Sequence, residues 1–323
     1  MLPLSLVFKA LVQLRRFLYR ARLLRVTRLP VPVIVVGNIS VGGTGKTPLV
    51  ITIARRLRAL GWSPGIVSRG HQGNNKLPLE VTTDSAAAKV GDEPLLLVRK
   101  SGVPVWTGRD RPAAGSALLR AHSECDVLLS DDGLQHYALA RDVEIIVVDG
   151  ERRFGNGFLL PAGPLREPVS RLTDADAIVI HGDTKLDGAS LPKQFLMRLS
   201  GSVFYNIAHP EHTAHADEFR GKRLHAAAGI GNPQRFFAHL KSLGLECGVT
   251  AFPDHHVFSA SDLPVSADAV LMTEKDAVKC RSFARDNWWA LAVEAEVDER
   301  LFEFLNNTLN GLKTARHSGL PTV

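Results

Sequence analysis

Ser40-Val41-Gly42-Gly43-Thr44-Gly45-Lys46-Thr47 follows the apolar run Val31 to Val36 and precedes a helix-like segment from Pro48 to Leu60. A buried strand, a glycine-rich turn and Lys-Thr at a helix start aim backbone N–H groups, a helix N-terminus and one ammonium at the phosphates of a nucleotide. The stretch reads as a phosphate-binding loop, with Ser40 to Thr47 as the candidate phosphate contacts and Thr47 also offering a hydroxyl to magnesium. An ordinary glycine-rich turn would leave Lys46 at the positive end of a helix, where a cation is disfavoured unless an anion arrives. The general pattern has glycine where this chain has Ser40; Gly42 and Gly43 supply the missing freedom.

Outward from the loop, short apolar runs alternate with helix-length segments: Gly65 to Ser68, Val103 to Trp106, Val127 to Leu129, Ile145 to Val148 and Ala177 to Ile180. This is the cadence of βα units around a mostly parallel sheet with helices on both faces. The stretch Asn156 to Pro168 is dense in proline and glycine and reads as a loop or strapped crossing. A second unit starts near Arg223, where Leu224 to Gly231 gives a strand and glycine turn, Pro233 to Leu243 a helix and Val270 to Met272 another buried strand. The expected organisation is α/β and P-loop NTPase-like: an amphipathic helix over 1–28, a nucleotide-binding domain over 29–220 and a smaller α/β domain over 221–323.

The 323 residues, 45% apolar and 22% charged, describe an ordinary globular protein and not a disordered chain. Cys125, Cys247 and Cys280 are widely spaced and lack ligand partners at metal spacing, so neither a disulfide framework nor a zinc site is expected, and the cytoplasm is the natural compartment. No Asp or Glu precedes Glu80, whereas Lys and Arg occur thirteen times before it, and the remainder is net acidic. A basic end points to anionic partners. Within it, Leu4, Val7, Phe8, Leu11, Leu14 and Leu18 share one helical face, Lys9, Arg16 and Arg20 lie opposite, and Arg15 and Arg22 can snorkel toward headgroups. The pattern is a basic amphipathic helix suited to an anionic membrane surface; the alternative is a terminal helix packed on its own domain. No run of 18 uncharged apolar residues exists, so no spanning helix is expected, nor a signal peptide.

A phosphate loop needs a carboxylate at a neighbouring strand end to hold magnesium. Asp131-Asp132-Gly133 supplies a pair after the run Val127 to Leu129, although Asp-Asp-Gly is also common turn chemistry. Gly91-Asp92-Glu93-Pro94 and Thr273-Glu274-Lys275-Asp276 each open a helical segment, where acidic residues also serve as caps and dipole partners, so neither points to chemistry by itself. Arg166-Glu167, held between Pro164 and Pro168, could clamp phosphate and metal or form a surface ion pair.

Taken in order, Asn38-Ile39-Ser40 with Gly42 to Pro48, Ser68-Arg69-Gly70, Gly91 to Pro94, Asp131-Asp132-Gly133 with Gln135-His136, Asp254-His255 and Thr273 to Asp276 resemble the tetraacyldisaccharide 4′-kinase family, the lipid A kinases of Gram-negative bacteria. The resemblance runs from residue 1 to about 280 and departs at His71-Gln72, where the family has tyrosine and glycine. It implies transfer of the γ-phosphate of ATP, with Mg2+, to the 4′-hydroxyl of tetraacyldisaccharide 1-phosphate to form lipid IVA. The enzyme would be peripheral on the cytoplasmic face of the inner membrane, with the nucleotide between two domains.

Residue by residue, the resemblance implies that Lys46 contacts phosphates and that Thr47 with Asp131 or Asp132 holds metal. Asp92 and His255 act as the proton-accepting pair, Arg166 contacts the nucleotide, and Glu167, like Glu93, is a further candidate for metal, phosphate or substrate. No nucleic acid and no obligatory protein partner is implied; the leucines interleaved in the basic segment favour lipid. The rival reading is a membrane-associated ATPase switch of the partitioning or metal-insertion type, whose loop often carries an extra lysine where this chain has Ser40 and Val41.

Overall fold

In the computed structural model, which describes residues 1–70 and 77–317, the chain opens with helix α1 (Leu2–Arg20), started by a proline in its first turn. Strand β1 (Val33–Gly37) is buried along its whole length. Ile34 and Val36 pack into the core on one face of the sheet, Val33 and Val35 into the core on the other. Burial on both faces is why this strand reads as an unbroken apolar run. Gly45 takes a φ of 89°, and helix α2 (Lys46–Ala59) starts directly on Lys46, ahead of the expected Pro48.

The chain continues through β2 (Pro64–Ser68), β3 (Leu79–Val81), α3 (Ala87–Val90), α4 (Asp92–Ser101), β4 (Val105–Thr107), α5 (Arg111–Ala121), β5 (Val127–Asp131), β6 (Val143–Asp149), β7 (Ala177–His181) and β8 (Lys193–Ser200). It then forms β9 (Val203–Asn206), β10 (Thr213–His215), β11 (Leu224–Ala228), α6 (Pro233–Ser242), β12 (Cys247–Ala251), β13 (Ala269–Thr273), α7 (Glu274–Cys280), β14 (Trp288–Leu291), β15 (Glu294–Val297) and α8 (Arg300–His317).

Among the described residues nine strands make the first sheet, in the order β15-β8-β7-β6-β1-β5-β2-β4-β3. Those from β8 to β4 run parallel, and only the edge strands β15 and β3 are antiparallel to their neighbours. One face is covered by α2, α4 and α8; the other by α5, by the long connection after β6 and by Phe8 of α1. The second sheet has six strands in the order β10-β9-β14-β13-β11-β12, with its own apolar clusters on either side.

The sheets correct the expected boundary near residue 220. β9 and β10 precede it yet pair in the second sheet, whereas β15, well after 221, pairs with β8 in the first. Leu301, Phe302, Leu305 and Leu309 of α8 are likewise buried in the first domain's core. The chain crosses between sheets twice, and the crossings touch: a Cβ at Gly201 would stand 2.0 Å from the carbonyl oxygen of Ala292. A boundary is read from a break in pattern, and a short outward crossing with a distant return leaves none.

Helix α1 uses its faces differently from the expectation. Ser5 Oγ donates to the Leu159 carbonyl (2.7 Å), Phe8 packs on the core and Tyr19 approaches Tyr137 (5.8 Å between ring centres). Arg16 and Arg20, expected opposite the apolar face, both pair with Asp174, at 2.6 and 3.0 Å. Phe8 and Leu18, expected on the free apolar face, are partly buried. What remains exposed is an apolar band of Leu4, Leu6, Val7, Leu11, Leu14 and Phe17. Among the described residues no helix is long and apolar enough to cross a membrane.

Candidate active site

The phosphate loop lies between the end of β1 and the start of α2. Thr44 is buried, and its hydroxyl accepts a long hydrogen bond from Asn38 Nδ2 (3.4 Å). The proline-rich connection after β6 is strapped along this loop: Val41 N donates to the Pro164 carbonyl (2.8 Å) and Arg166 N to that of Ile39 (2.6 Å). The strap delivers Arg166 to the pocket, where its guanidinium meets Asp132 at 3.1 Å. Lys46 Nζ meets the same carboxylate at 3.3 Å. These two cations hold Asp132 well below the usual carboxylate range against the opposing effect of its burial.

Asp131, the last residue of β5, is different. It is 1% exposed, and among the described residues neither carboxylate oxygen has a hydrogen-bond partner. Burial, with Glu93 and Asp132 nearby, pushes it up to about 7 against the pull of Lys46 and Arg111. Two orphaned carboxylate oxygens beside a phosphate loop fit a divalent cation. Among the described residues no three His, Cys, Asp or Glu side chains gather into a cage. That is the ordinary condition for magnesium, which is held by one or two carboxylates, waters and substrate phosphates.

The expected Arg166-Glu167 clamp divides. Glu167 is 1% exposed, accepts hydrogen bonds from Gln135 Nε2 (2.9 Å) and Tyr137 Oη (2.5 Å), and has Arg171 at 3.5 Å and Arg16 at 3.8 Å. Both its oxygens are thus engaged in fixing the loop after β5 and the foot of α1. Both side chains line the cleft, but Arg166 turns to Asp132 and Glu167 to Gln135 and Tyr137.

Asp92 and His255, 163 residues apart, are brought together across the two domains. Asp92 opens α4 and is buried; His255 stands on the loop after β12 with a φ of 61°, its amide donating to the Gly229 carbonyl (3.1 Å). Because a carboxylate only accepts, His255 Nδ1 carries the proton and donates to Asp92 at 3.0 Å. This hydrogen bond raises His255 above its ordinary value against burial and the neighbouring Lys275. Burial disfavours the Asp92 charge, but His255 and Lys275 still hold it below its ordinary value.

The neighbours of His255 have other work. His256 stacks on Phe252 (4.5 Å) and reaches Asp262 (3.3 Å). Asp254 takes Lys275 at 3.3 Å.

One cleft of about 830 Å³ is lined by the phosphate loop, Asp132, Arg166, His255 and Lys275. Phe8, Val12 and Arg15 of α1 line it too, so the apolar helix and the phosphate loop share a wall. The expected departure at His71-Gln72 lies outside the described residues.

Sequence reasoning misses two features. Arg235, in the first turn of α6, reaches across to His181 Nδ1 (2.9 Å), Asp149 (3.0 Å) and Glu151 (2.9 Å) beside the loop. Burial, then this guanidinium, takes His181 down to about 4, so it accepts as a neutral ring. Gly231 brings the second domain against the loop: a Cβ there would stand 2.5 Å from Gly43 N. Its strand-and-glycine-turn setting is visible in the sequence; the partner is not.

The family model for tetraacyldisaccharide-1-P 4′-kinase, LpxK, matches residues 1–310. The tetraacyldisaccharide 4′-kinase of Methylobacillus flagellatus is 52% identical over 302 residues, covering 93% of this chain and 89% of its own. That of Azoarcus sp. strain BH72 is 54% identical over 315 residues, covering 94% and 91%. Among solved structures, the "apo" form of LpxK from Aquifex aeolicus in complex with ATP is 30% identical, with a TM-score of 0.81 over 95% of this chain and 98% of that one. Matched by the family model over residues 1–310 and by relatives more than 50% identical over 93% and 94% of its length, the chain belongs to the tetraacyldisaccharide 4′-kinase family.

Proposed function

We propose that this cleft transfers the γ-phosphate of ATP to the 4′-hydroxyl of tetraacyldisaccharide 1-phosphate, with Asp92 and His255 as the proton-accepting pair. The observation that carries the reading is the Asp92–His255 hydrogen bond closing across the domains over the same cleft as the phosphate loop. Lys46 and the amides from Ser40 to Thr47 bind and align the β- and γ-phosphates, and Arg166 adds a second cation. Thr47 and the Asp131-Asp132 pair would hold magnesium, which neutralises phosphate charge when bound. Glu167 supports this set by fixing Gln135 and Tyr137. As the sugar oxygen bonds to the γ-phosphorus and the bond to ADP breaks, His255 Nε2 takes the hydroxyl proton and Asp92 stabilises the resulting imidazolium. Closure of the second domain, through Gly231 and Arg235, excludes water that would otherwise take the phosphate.

The substrate is an acylated lipid, and the exposed band of α1 answers to it. Leu4, Leu6, Val7, Leu11, Leu14 and Phe17 would enter the acyl layer of the inner membrane's cytoplasmic leaflet, with Lys9 and Arg22 toward anionic headgroups. Replacing Leu11 and Leu14 together with glutamate removes about 1.5–3 kcal/mol of apolar transfer per residue. Vesicle binding should fall at least tenfold in sedimentation, with ATP affinity unchanged; undiminished binding to anionic vesicles would place the membrane contact elsewhere.

The test of the activity is labelled ATP with tetraacyldisaccharide 1-phosphate in detergent micelles. Label is expected on the lipid, and ATP hydrolysis without lipid is expected to be slow. Release of free phosphate that is indifferent to the acceptor would instead fit the ATPase switch.

A further inference from the structure

Helix capping explains only part of the Thr273 to Asp276 stretch: the Thr273 hydroxyl caps α7 by accepting from Asp276 N, and Lys275 has no part in the cap. Its ammonium, largely buried at the seam between α4 and α7, lies 3.0 Å from Glu93, 3.3 Å from Asp254 and 3.4 Å from His255 Nε2. An ammonium can only donate, so Nε2 accepts and the ring proton sits on Nδ1, facing Asp92. We propose that Lys275 is a positioning residue for the base: it selects the imidazole tautomer whose Nε2 lone pair faces the cleft, and releases that nitrogen to the substrate hydroxyl while Glu93 and Asp254 retain the ammonium. The inference rests on the reading of Asp92 and His255 as the proton-accepting pair.

The charges around the ring decide the sign of the test. From α4 come Asp92 in direct contact and Glu93 through Lys275. From α7 come Lys275 and Lys279, the latter 3.9 Å from Asp92 and 2.7 Å from Asp276. The loop's own Asp254 is 3.9 Å from Nε2. Asp92 and Asp254 favour the imidazolium, whereas Lys275 opposes it. Removing Lys275 therefore makes the ring easier to protonate, and removing Asp254 makes it harder.

The experiment follows the His255 Cε1–H resonance against pH in the full chain, identified by its loss in His255→Ala, alongside the pH profile of kcat/KM. In Lys275→Met the inflection should move up by about one pH unit, as expected for loss of a like charge at this distance in a solvated cleft. Lys275→Arg should keep it near the parent value. Asp254→Asn, a change at a partly exposed residue, should move it down by roughly half a unit. It carries the test should Lys275→Met not fold, as judged by ATP binding.

A lysine that held the seam without facing the ring would lower kcat at every pH and leave the inflection in place. An unmoved or lowered inflection in folded Lys275→Met, or an unmoved one in Asp254→Asn, overturns the proposal. The resonance is read without turnover, so this failure is distinct from failure of the Asp92–His255 pair, which full activity of His255→Ala would show.

Discussion

Replacing His255 with alanine is expected to lower the rate of lipid phosphorylation by about a hundred- to ten-thousandfold, the range of a lost general base. ATP affinity should stay within about threefold, since the loop that holds phosphate is built by β1 and α2 and not by the second domain. The parent enzyme should show kcat/KM rising with pH through the His255 pKa, because only the unprotonated ring can accept the hydroxyl proton. The Asp92 hydrogen bond raises that pKa, so the inflection should lie above the ordinary histidine value of about 6.5. The residual activity of the variant should lack this limb. Asp92→Asn should lose rate as well, and its inflection should fall, since an amide no longer favours the imidazolium. A His255→Ala enzyme with parental turnover in a purified assay would remove the pair from the mechanism.

Lys46→Ala should fail differently. Its ammonium is the phosphate loop's own cation, and in the structure it is 3.3 Å from Asp132. Loss of one preorganised charge at the transferring group costs about a hundred- to a thousandfold in kcat. ATP affinity should fall too, which isothermal titration resolves from the His255→Ala result. Lys46→Arg is not expected to rescue, because a planar guanidinium cannot replace a compact ammonium among closely packed loop amides. Turnover by Lys46→Ala near the parental rate would mean that the loop positions nucleotide by its backbone alone.

Much of the fold and part of the site are legible in the amino-acid sequence. The strand-loop-helix unit around Gly42 to Thr47 can be read because both its neighbours have a strong local pattern: β1 is apolar on both faces and α2 follows at helical spacing. The carboxylates at the end of β5 and the turn before α6 are legible for the same reason. Arg166 and Glu167 stand out together and suggest one clamp, because adjacency in a loop says nothing about which way each side chain turns. Amphipathic spacing reveals the free face of α1, yet Arg16 and Arg20 are held by Asp174, a residue over 150 positions away. The second domain's extent escapes the sequence because β15 and α8 return to the first sheet, a pairing that only the register of β8 reveals.

By itself the sequence determined that a phosphate-loop pattern joins a buried strand to a helix, that the chain is built of βα units around parallel strands, and that its basic, leucine-rich start is a helix with an apolar face. Each of these rests on short-range spacing, where apolar period and glycine placement dictate local structure. Only the tertiary structure decided that Asp92 meets His255, that Lys275 meets both Glu93 and the imidazole, and that Asp131 keeps two buried oxygens without partners among the described residues while its neighbour Asp132 is ion-paired with Lys46 and Arg166. The physical reason is that charge pairing acts through space: it is set by which ends of which strands share a cleft, and leaves no periodicity along the chain for a reader to find.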